Sequence, residues 1–210
     1  MGVPYRLWWG VMRRRELLLA GLCAWVIEPA SHAVAQCGAE PDLLHRVVPS
    51  EQLDHLSLWE ERSAQWRKCR PDELPTAGPP ILAIHVWADW CAACKEEFPL
   101  LRDLEARLLT TLARKMRFVY VAEIPNSPAM EQFQNANRQR LPKGPFYQDT
   151  AEIFARWLRP LLPGGRLTLP ITLVVDDRRI IRHAILGSLR NRTRELARAV
   201  ESLSELQTRK

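Results

Sequence analysis

The chain has 210 residues, of which 47% are hydrophobic and 26% are charged. These values fit a globular protein large enough to bury a core, and they exclude wholesale disorder and collagen-like or low-complexity architectures. The formal net charge of +6 is modest, and basic and acidic residues alternate along most segments, so we expect no nucleic-acid partner. The chain has five cysteines, an odd number, and their positions along the chain assign them to different roles.

The first 35 residues have the pattern of a secretory signal peptide. Three consecutive arginines at 13–15 precede an apolar run over 17–27, and small residues at 33–35 fit a cleavage site. The apolar run has 11 residues, whereas a transmembrane helix needs about 20. We therefore expect cleavage and export rather than a retained membrane anchor. The arginines also resemble a twin-arginine export signal, with an ordinary basic region as the alternative.

Signal cleavage divides the cysteines. Cys23 is removed, and four cysteines remain, which is an even number in an exported protein. The removed segment carries four arginines and two glutamates, so the net charge falls from +6 to +4. In an oxidising compartment Cys37 and Cys69 are candidates for a structural disulfide that ties down the N-terminal segment. The other two, Cys91 and Cys94, lie close together in the sequence.

The mature chain is predicted to consist of an extension, 36–75, and an α/β domain, 76–210. The extension has a predicted helix over 50–68, where leucines and tryptophans recur at roughly helical spacing. After a joint rich in proline and glycine, strands and helices alternate. The predicted elements are strand 81–87, helix 92–112, strand 117–124, a helix from Ser127 to Arg140, an extended piece 145–148, helix 150–159, strand 171–176, a tight turn 176–179, strand 180–186, and a helix that begins after Asn191. This order predicts helices flanking a mixed central sheet.

A pair of cysteines marks the junction between the first strand of the domain and its first helix. Cys91 is predicted to lie at the helix N-terminus, where unpaired N–H groups and the helix dipole favour an anion. Such a position lowers a thiol pKa from ~8.5 to between about 3.5 and 7.5. Cys94 lies one helical turn later, where it can close a disulfide with the same sulfur and resolve a mixed disulfide. The pattern therefore predicts a redox-active centre.

Two simpler interpretations of the cysteine pair stay open. The first is a plain structural disulfide, and the second is half of a zinc site. A zinc site needs a second cysteine pair or paired histidines, and Cys37 and Cys69 lack that spacing. We therefore expect no metal. A metal-delivery role would need a histidine near the pair, which only His85 or His183 could supply.

Residues 76–206 resemble the thioredoxin superfamily, and specifically its exported TlpA/ResA-like branch. The resemblance centres on residues 86–99, which read Val-Trp-Ala-Asp-Trp-Cys-Ala-Ala-Cys-Lys-Glu-Glu-Phe-Pro. Residues 169–176 resemble the cis-proline strand of the family, and Gly187 stands where a glycine follows the final strand. Residues 145–149 resemble the segment that closes an insertion of this branch, here 126–144. The resemblance implies a thioredoxin-like fold with an N-terminal extension and a central insertion.

The resemblance also implies roles for residues around the cysteines. Pro170 is expected in cis, where it exposes the backbone of Leu169 to an extended partner chain; an ordinary trans proline is the alternative. Trp90 is expected to shield the thiols, with packing in the core as the alternative. Pro99 is expected to kink the long helix near its middle and to remove one of its backbone hydrogen bonds.

Three charged or titratable residues complete the set of candidates. Lys95 is expected to be a solvated cation that mildly favours a nearby thiolate. Glu97 is either close to the site or, as is more common on a helix, a surface carboxylate. His85 lies where classical thioredoxins carry a buried acidic proton acceptor, so it either takes the proton of Cys94 during resolution or is a neutral core histidine.

The function that the resemblance implies is an exported thiol–disulfide oxidoreductase of the bacterial periplasm or cell exterior. It would reduce specific disulfide-containing exported proteins, such as apocytochrome c, with electrons from a membrane thiol reductase. It would need no cofactor, and it would have no stable membrane insertion after signal cleavage. A disulfide oxidase is the alternative within the same chemistry. A binding module with a purely structural disulfide is the alternative from another class.

Overall fold

A computed structural model describes residues 43–60, 63–77, 79–112, 115–123 and 128–208. They form a seven-stranded sheet with the strand order β2-β1-β5-β4-β3-β6-β7. The strands are β1 (Ser57–Glu60), β2 (Gln65–Lys68), β3 (Ile81–Trp87), β4 (Met116–Ala122), β5 (Phe146–Gln148), β6 (Ile171–Val175) and β7 (Ile181–Leu186). β3, β4 and β5 are parallel, and the other neighbouring pairs are antiparallel. The predicted mixed sheet is therefore confirmed.

Four helices flank the sheet. They are α1 (Ala92–Leu112), α2 (Pro128–Asn137), α3 (Ile153–Leu158) and α4 (Thr193–Thr208). All seven residues of β3 are buried, because helices or loops cover both faces of the sheet. α1 and α4 share one apolar cluster with one face of β3, and α3 packs in a second cluster with the other face. Among the described residues, no helix is both long enough and apolar enough to cross a membrane.

The predicted helix over 50–68 is wrong. A short 3₁₀ helix, Ser50–Gln52, is followed by a hairpin of β1 and β2, which extends the sheet beyond β5. Trp59 and Trp66 are partners across this hairpin, with ring centroids 5.2 Å apart. Their spacing, which looked helical, is a product of cross-strand pairing. Long-range pairing with β5 decides the structure here, and a local pattern does not contain that information.

The other elements are confirmed with shifted ends. α3 begins at Ile153 rather than at residue 150, because the Asp149 carboxylate accepts hydrogen bonds from the N–H groups of Ile153 and Ala155, both at 2.9 Å. α2 ends at Asn137, before the expected Arg140. The proposed N-cap of α2, Ser127, lies outside the described residues, as do the signal segment 1–35 and Cys37.

Three chain segments meet at one edge of the sheet. β3 ends there and leads into α1, β6 begins there opposite Val86, and β7 ends there opposite Ile171. Gly187 follows β7 with φ +85°, a conformation that side chains other than glycine rarely adopt. The candidate site lies at this edge.

Candidate active site

The two cysteines of the motif form a disulfide at the start of α1. The Cys91 and Cys94 sulfurs are 2.04 Å apart. Cys91 immediately precedes the helix, and the N–H group of Cys94 points at the Cys91 sulfur from 3.2 Å. Cys91 is 6% exposed, whereas Cys94 is fully buried. A partner from solution can therefore reach only the first sulfur, and the second can act only on the first.

The surroundings of Cys91 favour a thiolate once the disulfide is reduced. The 21-residue helix α1 begins at the next residue, so the positive end of its dipole and its unpaired N–H groups lie at the sulfur. The Lys95 ammonium lies one turn along the helix, 5.6 Å above the ring of Phe133. Lys95 is half-buried rather than fully solvated. A thiolate is the form that attacks disulfides and other electrophiles.

Trp90 lies beside the disulfide and is 61% exposed. The alternative that it packs in the core is therefore wrong. The core tryptophan of this segment is Trp87, which is fully buried and packs edge-on against Phe98 at 4.9 Å between ring centroids. The exposed indole next to Cys91 forms part of the surface that an approaching partner meets. Shielding of the thiols by Trp90 stays a prediction.

Pro170 has the cis geometry that the resemblance implies. The Leu169–Pro170 peptide bond is cis, and β6 begins at the next residue. The Pro170 carbonyl accepts a hydrogen bond from the N–H group of Gly187 at 2.9 Å, which ties the loop to the end of β7. The role of Leu169 in pairing with a partner chain stays a prediction. Pro99 lies inside α1, and the expected kink stays a prediction.

Glu97 is buried, so the interpretation as a surface carboxylate is wrong. The residue is 3% exposed and lies on the same face of α1 as Cys94, one turn further along. Its Oε2 atom accepts hydrogen bonds from the N–H group of Leu189 at 2.7 Å and from the Ser188 hydroxyl at 3.0 Å. Burial raises the pKa of the Glu97 carboxyl above 4.5, and these two hydrogen bonds oppose the shift. A buried carboxyl with a raised pKa is suited to proton transfer.

His85 lies in the middle of β3 and is fully buried. Its Nδ1 atom is 3.0 Å from the Thr172 hydroxyl on β6, and the rings of Phe98 and Tyr120 stand edge-on to it. Burial lowers the pKa of His85 to about 3. The imidazole is therefore neutral at physiological pH.

The second nitrogen of His85 faces Glu97. The His85 Nε2 and Glu97 Oε1 atoms are 3.6 Å apart, and among the described residues neither has a hydrogen-bond partner. The contact is not an ion pair, because the imidazole is neutral. A single proton on either atom would satisfy both once the gap closes by a few tenths of an ångström. The two residues can therefore hold or release one proton, and Glu97 lies one helical turn from Cys94.

A second buried carboxylate, Glu105, was not singled out from the sequence. It is 3% exposed, and its Oε2 atom accepts hydrogen bonds from the N–H group of Lys143 at 2.9 Å and from the Tyr120 hydroxyl at 3.2 Å. A side chain at Gly144 would approach the Phe118 carbonyl oxygen to 2.7 Å. Glu105 thus anchors the end of the insertion to α1 and β4. Its position among the apolar residues of the buried α1 face is the sequence signal that could have found it.

Cys69 is half-buried and has no disulfide to another described residue, and its proposed pairing with Cys37 stays a prediction because Cys37 lies outside them. Within the described part of the chain, no group of three or more His, Cys, Asp or Glu side chains could hold a metal ion. His183 contacts Glu195 at 2.9 Å.

Solved structures share this architecture. A putative protein disulfide isomerase from Bacteroides thetaiotaomicron matches with a TM-score of 0.55 at 12% identity, covering 77% of this chain and 90% of its own. An uncharacterised thioredoxin-like protein from Porphyromonas gingivalis matches with a TM-score of 0.51 at 19% identity, covering 73% and 92%. A secreted disulfide oxidoreductase from Mycobacterium tuberculosis matches with a TM-score of 0.50 at 17% identity, covering 74% and 100%.

No protein-family model matches the sequence, and a search of curated proteins finds no match. The structural similarities confirm the thioredoxin-like fold that the sequence predicts.

Proposed function

We propose that this protein is an exported thiol–disulfide oxidoreductase that reduces disulfides of specific exported proteins. The observation that carries the proposal is the asymmetry of the disulfide at the start of α1. Cys91 is reachable and lies at a helix N-terminus, and Cys94 is fully buried behind it. This arrangement separates an attacking sulfur from a resolving sulfur, which a purely structural disulfide does not require.

The reaction begins with the reduced protein. The Cys91 thiolate attacks one sulfur of the substrate disulfide, the substrate S–S bond breaks, and the released thiolate takes a proton from water. Cys94 then loses its proton and attacks the Cys91 sulfur. This step forms the Cys91–Cys94 disulfide and releases the second substrate thiol. Two electrons have passed to the substrate, and an external dithiol must return them before the next cycle.

Glu97 is the proposed acceptor for the proton of Cys94. It lies one turn from Cys94 on the buried face of α1, and its raised pKa matches the task better than the pKa of His85, which is about 3. His85 is proposed as a positioning residue, because its Nε2 atom faces the free oxygen of Glu97. Thr172 in turn holds the imidazole through Nδ1.

The reducing direction, apocytochrome c as a substrate, and a membrane thiol reductase as the electron donor are proposed from the resemblance to the TlpA/ResA-like branch. The direction is testable by equilibrating the protein with glutathione. A reduction potential near that of thioredoxin, about −270 mV, supports the reducing direction. A potential near about −120 mV, which is typical of a strong disulfide oxidant, supports the opposite direction.

Export is proposed from the signal pattern in residues 1–35, and the structural neighbour from Mycobacterium tuberculosis is a secreted protein. Expression in a Gram-negative host followed by osmotic shock and N-terminal sequencing tests this part. We expect a periplasmic form that begins after residue 35. Full-length protein held in the membrane fraction would favour the anchor instead.

The decisive experiment traps substrates in cells. A Cys94→Ala variant keeps Cys91 but cannot resolve a mixed disulfide, so it should accumulate disulfide-linked complexes whose partners mass spectrometry identifies. The matched control, Cys91→Ala, should capture nothing through Cys94, because that sulfur is buried. If the Cys94→Ala variant forms no complexes and the native protein turns over no disulfide, the binding-module interpretation replaces the proposal.

A further inference from the structure

We propose that a basic groove between α1 and α2 binds an acidic segment of the protein substrate next to the disulfide under attack. This inference rests on the proposed function and adds a substrate class to it. The groove has a volume of about 340 Å³. Its lining includes Ala92, Lys95, Phe98, Phe133, Arg140 and Leu141.

The groove begins at the attacking cysteine. Ala92, which lines one end, directly follows Cys91, and Pro99 lines the groove two turns further along α1. Seven residues of helix span roughly 10 Å. A polypeptide whose disulfide meets Cys91 can therefore place the residues that flank its cysteine in this groove.

The floor of the groove is apolar. The rings of Phe98 and Phe133 lie 6.0 Å apart between centroids, and Leu141 is buried beside them. Lys95 extends over the Phe133 ring and places its ammonium group at the rim. An apolar floor with a cationic rim fits an extended peptide with acidic side chains better than a small anion, which would leave the apolar surface uncovered.

The positive charge continues along the insertion. An adjoining cavity shares Leu141 with the groove and is lined by Arg102, Arg138 and Lys143, with no acidic residue among the described residues that line it. These three side chains and Arg140 are all exposed.

The groove itself contains one acidic lining residue. Glu96 forms an ion pair with Arg190 at 3.1 Å, so much of its charge is already compensated.

Two hydrogen bonds anchor the loop that carries Arg138, Arg140 and Lys143. The buried Glu105 carboxylate accepts a hydrogen bond from the N–H group of Lys143, and the Arg102 guanidinium donates a hydrogen bond to the Gln139 carbonyl. The backbone that carries Arg138, Arg140 and Lys143 is therefore anchored to α1. A positive surface next to the reacting sulfur raises the encounter rate of acidic partners, and the gain falls as salt screens it.

The test uses three peptides that share one disulfide and differ in the residues flanking it, which are acidic, uncharged or basic. The rate at which each peptide oxidises the reduced full-length mature protein is measured in a single turnover at low and high salt. At low salt we expect the acidic peptide to react roughly tenfold faster than the uncharged one and the basic peptide more slowly. The difference should shrink at high salt.

A charge-reversal variant, Arg138→Glu with Arg140→Glu and Lys143→Glu, should lose the preference for the acidic peptide and favour the basic one. The control reverses three exposed basic residues, Arg107, Lys115 and Arg178, at the opposite end of the sheet. Lys115 precedes β4 where β3 begins, and Arg178 follows β6, which runs antiparallel to β3. This control has the same change in net charge and should keep the native preference.

The outcomes separate the groove from the redox chemistry. Equal rates for the three peptides would overturn the docking proposal and leave the oxidoreductase intact, whereas no reaction with any peptide would count against the oxidoreductase itself. Loss of the preference in the control variant would assign the effect to net charge and overturn the groove. Tight binding to vesicles of anionic lipid, with no selectivity among the peptides, would assign the basic surface to a membrane instead.

Discussion

Replacing Glu97 by Gln should slow the release of substrate without weakening the fold. In the native protein the Oε2 atom of Glu97 accepts hydrogen bonds from Leu189 and Ser188. The amide oxygen of Gln can accept both bonds, so the packing between α1 and the segment after β7 is kept. What the amide cannot do is take up the proton of Cys94.

Replacing Glu97 by Gln should affect the rate of resolution and the stability of the fold differently. Removing a general base lowers a rate by about 10²- to 10⁴-fold, and the lower limit corresponds to about 2.7 kcal/mol of barrier. The free energy of unfolding, in contrast, should not decrease. The pKa of Glu97 is raised in the folded state, so its contribution to stability is complete below pH 4.5 and is lost as the pH rises through the raised value. Gln has no such loss, so at neutral pH the variant should equal or exceed the native free energy of unfolding.

Glu97→Ala is the contrasting variant. It removes both hydrogen bonds and leaves the buried N–H group of Leu189 without a partner. One buried unsatisfied donor costs about 1–3 kcal/mol, and with the lost bond from Ser188 we expect a destabilisation of about 2–4 kcal/mol. Slow resolution in the Ala variant therefore has a structural component, and in the Gln variant it does not.

The assay isolates the second chemical step. A chromogenic thiol is loaded onto Cys91 as a mixed disulfide, and its release by Cys94 is followed in a stopped-flow instrument over a range of pH. The native rate should rise with pH through a step above pH 4.5, where Glu97 loses its proton, and this step should be missing in Glu97→Gln. A native rate and a native pH profile in the Gln variant would refute the role of Glu97. Equal destabilisation of the Gln and Ala variants would refute the reasoning about the hydrogen bonds.

Three further predictions concern stability and recognition. Burial lowers the pKa of His85 to about 3, so the stability that depends on its neutral form is complete above pH 6.5 and decreases as the pH falls below 6.5. His85→Asn should flatten this pH dependence of the free energy of unfolding, by up to about 1.4 kcal/mol per pH unit, as measured by urea unfolding. Glu105→Ala should cost about 2–4 kcal/mol in urea unfolding, because the buried Tyr120 hydroxyl and the partly buried N–H group of Lys143 lose their acceptor. Glu96→Ala, at an exposed ion pair, should cost under about 1 kcal/mol. Trp90→Ala should change the free energy of unfolding by less than about 0.5 kcal/mol. It should slow the reduction of a folded protein disulfide about tenfold more than the reduction of a small disulfide. Equal slowing of both reactions would contradict a contact between Trp90 and the substrate.

The fold and the two cysteines could be predicted because their signals are local. A buried strand, a cysteine pair and an amphipathic helix follow one another without interruption from Ile81 to Leu112. Which sulfur can be reached is not contained in the motif, because residues three apart in a helix share one face; Cys91 precedes the helix and keeps 6% exposure, whereas Cys94 is fully buried under the sheet-facing side of α1.

The extension and the burial of Glu97 could not be predicted in this way, because distant residues decide both. The hairpin of β1 and β2 exists because β5 offers a free edge about 90 residues later in the chain, where Ser57 pairs with Gln148 and Leu58 with Tyr147. Glu97 is buried because Ser188 and Leu189, which lie more than 90 residues away, cover it and supply its hydrogen bonds. The spacing of Glu97 from Cys94 shows that the two share a helix face, but the partner that closes over that face is not visible in the spacing.

The contact between His85 and Glu97 is better understood as a proton-holding pair than as a salt bridge. Burial lowers the pKa of the imidazole and raises the pKa of the carboxyl, and both shifts favour the uncharged forms. In a buried ion pair the attraction between the two charges would have to offset the free-energy cost of desolvating both, whereas a neutral pair needs only one shared proton. The pair is therefore poor evidence for stability. It is better evidence for a site that must accept a proton from a buried thiol and later give it back.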